Sequence, residues 1–202
     1  TIKRIYHRSS INQLLFASCL FCLIWLNFDD AILTFHIQPA FLQAKWVFFY
    51  IGLSRIIDMG TGLNSQIIAT STYWRFEFIS GIILLTITIP LNWELTRLYG
   101  IMGPAYSNLI SFSVYNFIRY MFLFRKFKIQ PFTEKSFYTV LLAVICYLTS
   151  YWLFHYQSGF IWIVLRSLIF VAFYLSGMFL LKLTPDAIPV LLTVKRRLGF
   201  DR

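Results

Sequence analysis

The chain has 202 residues, of which 58% are hydrophobic and 13% charged, with a mean hydropathy of +0.68, values too apolar for an ordinary water-soluble domain. They point to an all-α integral membrane protein. The net charge of +10 has no soluble basic fold to carry it, which argues against a nucleic-acid partner and for membrane topology and contact with anionic membrane lipids.

The first residues, TIKRIYHRSS, are polar and basic, with no initiator Met and no signal-peptide apolar region. We read the chain as a C-terminal portion of a longer polypeptide. A spanning helix needs roughly 20 predominantly apolar residues. Six stretches qualify: 11–28, 45–70, 73–92, 104–124, 136–154 and 160–182. The expected fold is therefore a six-transmembrane-helix bundle, divided into four helices in 1–134 and two helices with a basic tail in 135–202. Residues 31–44 are interrupted by His36, Gln38, Pro39 and Gln43 and suit an interfacial segment.

Thr86 to Lys128 organises the rest. The end of one span leads into a Gly-rich reversal over residues 98–103, and a second span closes on the basic run Arg125, Lys126 and Lys128. Pro104 suits the first turn of the second helix, where its missing N–H loses no helical bond. Gly100 and Gly103 permit a sharp turn and close helix approach.

With both ends in the cytoplasm, thirteen basic residues fall inside, from Lys3, Arg4 and Arg8 to Arg202, while only Lys45 and Arg97 fall outside. That asymmetry satisfies the positive-inside rule. Twelve Tyr and six Trp, several of them at span ends, fit interfacial aromatic belts.

Arg55, Arg119 and Arg166 lie within spans, where a cation costs on the order of 3 kcal/mol and usually faces a bundle interior or water. Arg119 and Arg166 are each near enough to a helix end to snorkel instead. Arg55, Asp58, Gly62 and Ser65 or Gln66 follow at helical spacing, giving a polar seam on an apolar helix. This seam is either a self-neutralising ion pair or the lining of a hydrated cavity. Asn108, Ser111, Tyr115 and Arg119, with Asn116 beside them, form a second stripe, which suits cavity lining or interhelical hydrogen bonding. Asp58 or Glu77 offers a carboxylate for ion coupling, although Glu77 lies near a boundary and has Arg75 or solvent as an alternative partner.

Cys19 and Cys22 make a C-x-x-C inside an apolar helix with no nearby His or acidic cluster, so no metal or redox site is expected there. No nucleophile motif or nucleotide loop stands out and no cofactor is called for.

Taken together, Arg55-x-x-Asp58-Met59-Gly60-Thr61-Gly62-x-Asn64, Leu91-Asn92, Leu98-Tyr99-Gly100-Ile101-x-Gly103-x-Ala105, Tyr115-Asn116 and Lys126-x-Lys128-x-Gln130-Pro131-Phe132 resemble the C-terminal half of bacterial polysaccharide biosynthesis proteins. These are Wzx-like flippases for lipid-linked oligosaccharides, grouped with MATE-type exporters and lipid II flippases. The resemblance covers residues 10 to 133 and weakens in the last two spans. Two positions depart from the family's pattern: Arg97 stands where a Pro is common, and Pro104 where Ala is usual.

The resemblance implies a non-enzymatic transporter of two lobes, this chain supplying most of the second lobe plus two extra helices, and the missing N-terminal lobe of the same polypeptide supplying the other cavity wall. It implies transport of undecaprenyl-diphosphate-linked oligosaccharide across the inner membrane for O-antigen or capsule synthesis, driven by a coupling ion or the membrane potential. Arg55, Asn64, Arg119 and Arg166 are then the residues placed to meet the diphosphate or acidic sugars. The alternatives are a MATE-type exporter of small cations, whose cavity favours acidic residues, and a membrane polymerase or ligase of the same pathway, which needs a larger external loop than 93–103 or 155–159.

Overall fold

The computed structural model describes residues 2–186 and 189. Among these, every regular element is helical. The helices are α1 (Ile2–Thr34), α2 (Ala44–Gly60), α3 (Asn64–Ala69), α4 (Trp74–Tyr99), α5 (Gly103–Phe127), α6 (Glu134–Leu153) and α7 (Phe160–Leu180), with 3-10 turns at Pro39–Gln43 and Gly100–Met102. Five stretches are long and apolar enough to cross a membrane: Ile2–Thr34, Pro39–Gly60, Trp74–Phe127, Glu134–Leu153 and Phe160–Leu180. The third contains both limbs of a hairpin, α4 and α5, so the expected tally of six corresponds here to five apolar stretches.

No Gly or Pro lies between Ile2 and Thr34, and α1 accordingly runs through all 33 residues, well beyond the expected 11–28. At 1.5 Å per residue it is about 50 Å long. The segment after it turns at His36, whose φ is 52°, and Pro39 opens the 3-10 turn that leads into α2.

The second expected span, 45–70, is not one helix. It breaks at residues 61–63, where Gly62 adopts φ 66° and lies so near α1 that a Cβ there would come within 3.0 Å of the Ser10 Cβ. Glycine reaches this left-handed conformation without the penalty other residues incur. The seam from Arg55 and Asp58 onward to Ser65 or Gln66 therefore passes from one helix to another.

The α4–α5 hairpin matches the sequence reading more closely. Gly100 turns with φ 57°, and Gly103 lies against the Leu95 carbonyl and the Thr96 backbone with no room for a side chain. Pro104 occupies the first turn of α5, and Ser107 Oγ donates to the Thr88 carbonyl at 3.3 Å. Arg125 and Lys126 lie in the last turn of α5, where cations complement the helix dipole. Lys128 then closes the helix in a left-handed conformation, φ 55°.

α1 is the shared spine. It packs on α2 to one side and on α6 and α7 to the other, while α5 packs on α2 and α4. The α1–α6–α7 core contains Ile11, Leu15, Cys22, Leu26, Ala143, Cys146, Phe170 and Tyr174. Small residues such as Ala17, Ser18 and Ala143 bring these helices close, as is usual where lipid supplies no hydrophobic drive for association. A smaller core joins Tyr6, Ile68, Leu123 and Ile129, with the Phe76 and Phe122 rings stacked at 3.8 Å.

Candidate functional site

A helix broken within hydrocarbon releases backbone groups that only the protein can satisfy. At the α2–α3 break, Ser10 Oγ of α1 donates to the Gly60 carbonyl. Thr61 Oγ1 donates to the Asp58 carbonyl at 2.7 Å, and the Thr61 N–H reaches the Ile57 and Asp58 carbonyls at 3.2 Å. Gly62 is thus held between a capped helix end and the backbone of α1.

Polar side chains from several helices converge around this break. Asn116 of α5 donates from Nδ2 to the Asp58 carboxylate and to the Phe112 carbonyl, each at 3.0 Å, and accepts at Oδ1 from Thr61 Oγ1 at 3.2 Å. Asn64 opens α3 and accepts from the Tyr6 hydroxyl of α1. Its neighbour Ser65 donates to Glu77 Oε1 of α4 at 2.5 Å. Arg119 Nη2 lies 3.2 Å from the same oxygen, to which the Tyr115 hydroxyl also donates at 3.3 Å. The Tyr115 ring covers the guanidinium at 4.5 Å, adding cation–π attraction to the ion pair.

The Arg119 side chain is only 5% exposed and that of Glu77 19%, so neither snorkels to the headgroups, and Glu77 pairs with Arg119 across the hairpin instead of with Arg75. Glu77 Oε2, Arg119 Nε and Asn64 Nδ2 are buried and unpaired among the described residues. The cluster therefore combines two carboxylates and one cation with a surplus acceptor and two surplus donors. Such a setting suits a hydrated path or ion binding.

Arg55 stands apart from this cluster. Asp58, its expected partner, is engaged by Asn116, whereas Arg55 is exposed on α2 with its guanidinium 5.0 Å from the Phe112 ring. It has no ion pair among the described residues. Asn108 accepts from Ser54 Oγ at 3.2 Å, joining α5 to α2, while Ser111 Oγ is buried without a partner among the described residues.

Arg166 belongs to a different locality. Its Nη1 lies 2.6 Å from Asp30 Oδ2 and donates to the Leu26 carbonyl at 3.1 Å, and its Nη2 donates to the Gln157 carbonyl at 2.8 Å. It ties α7 to the C-terminal part of α1 and to the loop after α6, and it is not brought together with Arg55, Asn64 or Arg119.

Of the residues singled out in the sequence, Asp58, Asn64, Tyr115 and Arg119 thus gather at the break. Asn116 from the second stripe, Ser65 from the seam and Glu77, the alternative ion-coupling carboxylate, join them, whereas Tyr6 and Thr61 carry no site signal in the sequence. No group of three or more His, Cys, Asp or Glu side chains among the described residues is placed to hold a metal ion. No protein-family model, curated protein or solved structure matches the chain.

Proposed function

We propose that this chain forms part of a flippase that carries undecaprenyl-diphosphate-linked oligosaccharide across the bacterial inner membrane. The single observation that carries the reading is Arg55, an exposed cation within an apolar helix that has no carboxylate or other ionic partner among the described residues. Such a cation is tolerated at membrane depth where it meets water or an anionic group. Arg119 and Arg166 are engaged by Glu77 and Asp30, which narrows the family-like cationic contact to Arg55.

In this reading α4 and α5 each cross the bilayer, both ends of the segment lie in the cytoplasm, and the groove beside Arg55 is completed by an N-terminal lobe. A polar headgroup crossing about 30 Å of hydrocarbon is spared part of its desolvation cost by such a groove, while its lipid tail stays in the bilayer.

The test is complementation in the intact parent protein, in a strain lacking its glycan flippase, with Arg55→Ala and Arg55→Lys scored for surface polysaccharide and membrane abundance. Loss with Ala at normal abundance and partial recovery with Lys is the expected result. Normal export by both variants removes Arg55 from the site, and failure of the unmodified protein to restore polysaccharide overturns the flippase reading.

One observation favours a second reading, an ion-coupled exporter of small cations. The buried cluster holds Asp58 and Glu77 against Arg119 alone, so its carboxylates outnumber its cations. Under that reading Glu77→Gln abolishes proton- or sodium-dependent dye efflux, whereas Arg55→Ala leaves it intact.

A further inference from the structure

We propose that a cleft at the basic end of α1 is a binding site for an anionic phospholipid of the surrounding leaflet. The cleft, about 490 Å³, lies where the first turns of α1 and α6 meet the segment that follows α7. Four cations surround it: Lys3, Arg4, Arg8 and Lys135. Two of them are fixed in place. Arg8 Nε donates to Asp186 Oδ2 at 2.6 Å, and Lys135 Nζ donates to the Lys182 carbonyl at 2.8 Å. Lys3 and Arg4 are exposed and have no ion pair among the described residues. With Asp186 as the only carboxylate in contact with these cations among the described residues, the rim keeps a surplus of positive charge.

The floor is apolar. Ile11 is 5% exposed and Leu183 is fully buried, and both belong to the α1–α6–α7 core. The strand of chain that supplies Leu183 is clipped to α1, because Thr184 Oγ1 donates to Asn12 Oδ1 at 2.5 Å and Asn12 Nδ2 donates to Asp186 Oδ2 at 2.6 Å. A cationic rim over an apolar floor, at the membrane boundary of three helices, matches a phosphate headgroup followed by acyl chain. Basic pockets between membrane helices on the cytoplasmic side take lipids of that kind. This inference needs the bilayer setting but not the flippase reading, so the two fail separately.

The experiment measures the lipid that stays with the purified chain through repeated washing in dodecyl maltoside micelles containing phosphatidylglycerol or phosphatidylcholine. The site variant is Lys3→Gln with Arg4→Gln, and the comparison variant is Lys126→Gln with Lys128→Gln, a basic pair at the end of α5. The inference expects the unmodified chain and the comparison variant to keep phosphatidylglycerol, and the site variant to hold it about tenfold or more less tightly. Unchanged thermal unfolding of the site variant in lipid-free micelles confirms that the exposed pair is not needed for folding. Equal loss in both variants means diffuse attraction to a basic surface and overturns the site. Equal retention of phosphatidylcholine, or stabilisation by glycerol phosphate equal to that by phosphatidylglycerol, also overturns the lipid assignment.

Discussion

Glu77 and Arg119 show what a buried charge demands of its neighbours. Removing one partner leaves the other uncompensated, so Glu77→Ala is expected to destabilise the chain by about 3 kcal/mol in detergent. Replacing both with apolar residues of similar volume, Glu77→Leu with Arg119→Met, is expected to recover most of that loss, because the pair's desolvation cost goes with it. Denaturant unfolding of the single and double variants measures this. Arg166 is bound more completely, by a carboxylate and two backbone carbonyls. Asp30→Ala is therefore expected to lower stability by about as much as Glu77→Ala, and it should do so without altering transport selectivity if Arg166 only ties α7 to α1. The three embedded arginines look alike in sequence because each is a lone cation among apolar neighbours. What separates them is the partner: Glu77 of α4 holds Arg119, Asp30 of α1 holds Arg166, and Arg55 has no ion pair among the described residues. Helical spacing offered Arg55 to Asp58, but the side-chain amide of Asn116, 58 residues on, takes that carboxylate.

At the scale of elements, the glycines make graded predictions. Gly62→Ala combines a left-handed conformation with contact against the Ser10 backbone, so a loss of about 2–3 kcal/mol is expected. Gly100→Ala meets nothing within 4 Å, but its φ of 57° with ψ −127° suits glycine alone, and a loss of about 1–2 kcal/mol from backbone strain is expected. Gly81→Ala, inside α4 with open space around it, should be neutral or stabilise by up to about 1 kcal/mol. Unfolding midpoints of the three variants in one detergent rank them. The hairpin was legible in sequence because Gly, Pro and a basic helix end all act locally. Its register also contained the Glu77–Arg119 pair: Gly103 meets Leu95 and Thr96, Ser107 meets Thr88, and continuing along both limbs sets Arg119 opposite Glu77. The break in the second span was less legible. Its residues are apolar enough to continue a helix, and what stops them is Gly62 against the backbone of a helix some fifty residues earlier.

For the whole molecule, apolar composition made the all-helical membrane class readable before any contact was known. Grouping was not readable, since division of the sequence near residue 134 separates α6 and α7 from α1, onto which they pack. The topology read from charge predicts that a cysteine at Glu134 reacts with a membrane-impermeant thiol reagent only from the cytoplasmic side, and one at Glu94 only from the opposite side, in a background where Cys19, Cys22 and Cys146 are replaced by Ser. Labelling of both positions from the same side would mean that the hairpin limbs do not both cross.

The use of α1 as a common spine also has a consequence for biosynthesis. Arg166 leaves the ribosome 140 residues after Leu26, whose carbonyl it binds, and Tyr174 leaves 159 residues after Leu15, whose carbonyl accepts from its hydroxyl. Throughout that interval Asp30, Ser18 and Asn27 are without the partners that α7 brings. The first helix must therefore either wait beside the translocon with its polar face sheltered there or borrow a chaperone, and a chain interrupted before α7 should be a preferred substrate of membrane quality-control proteases.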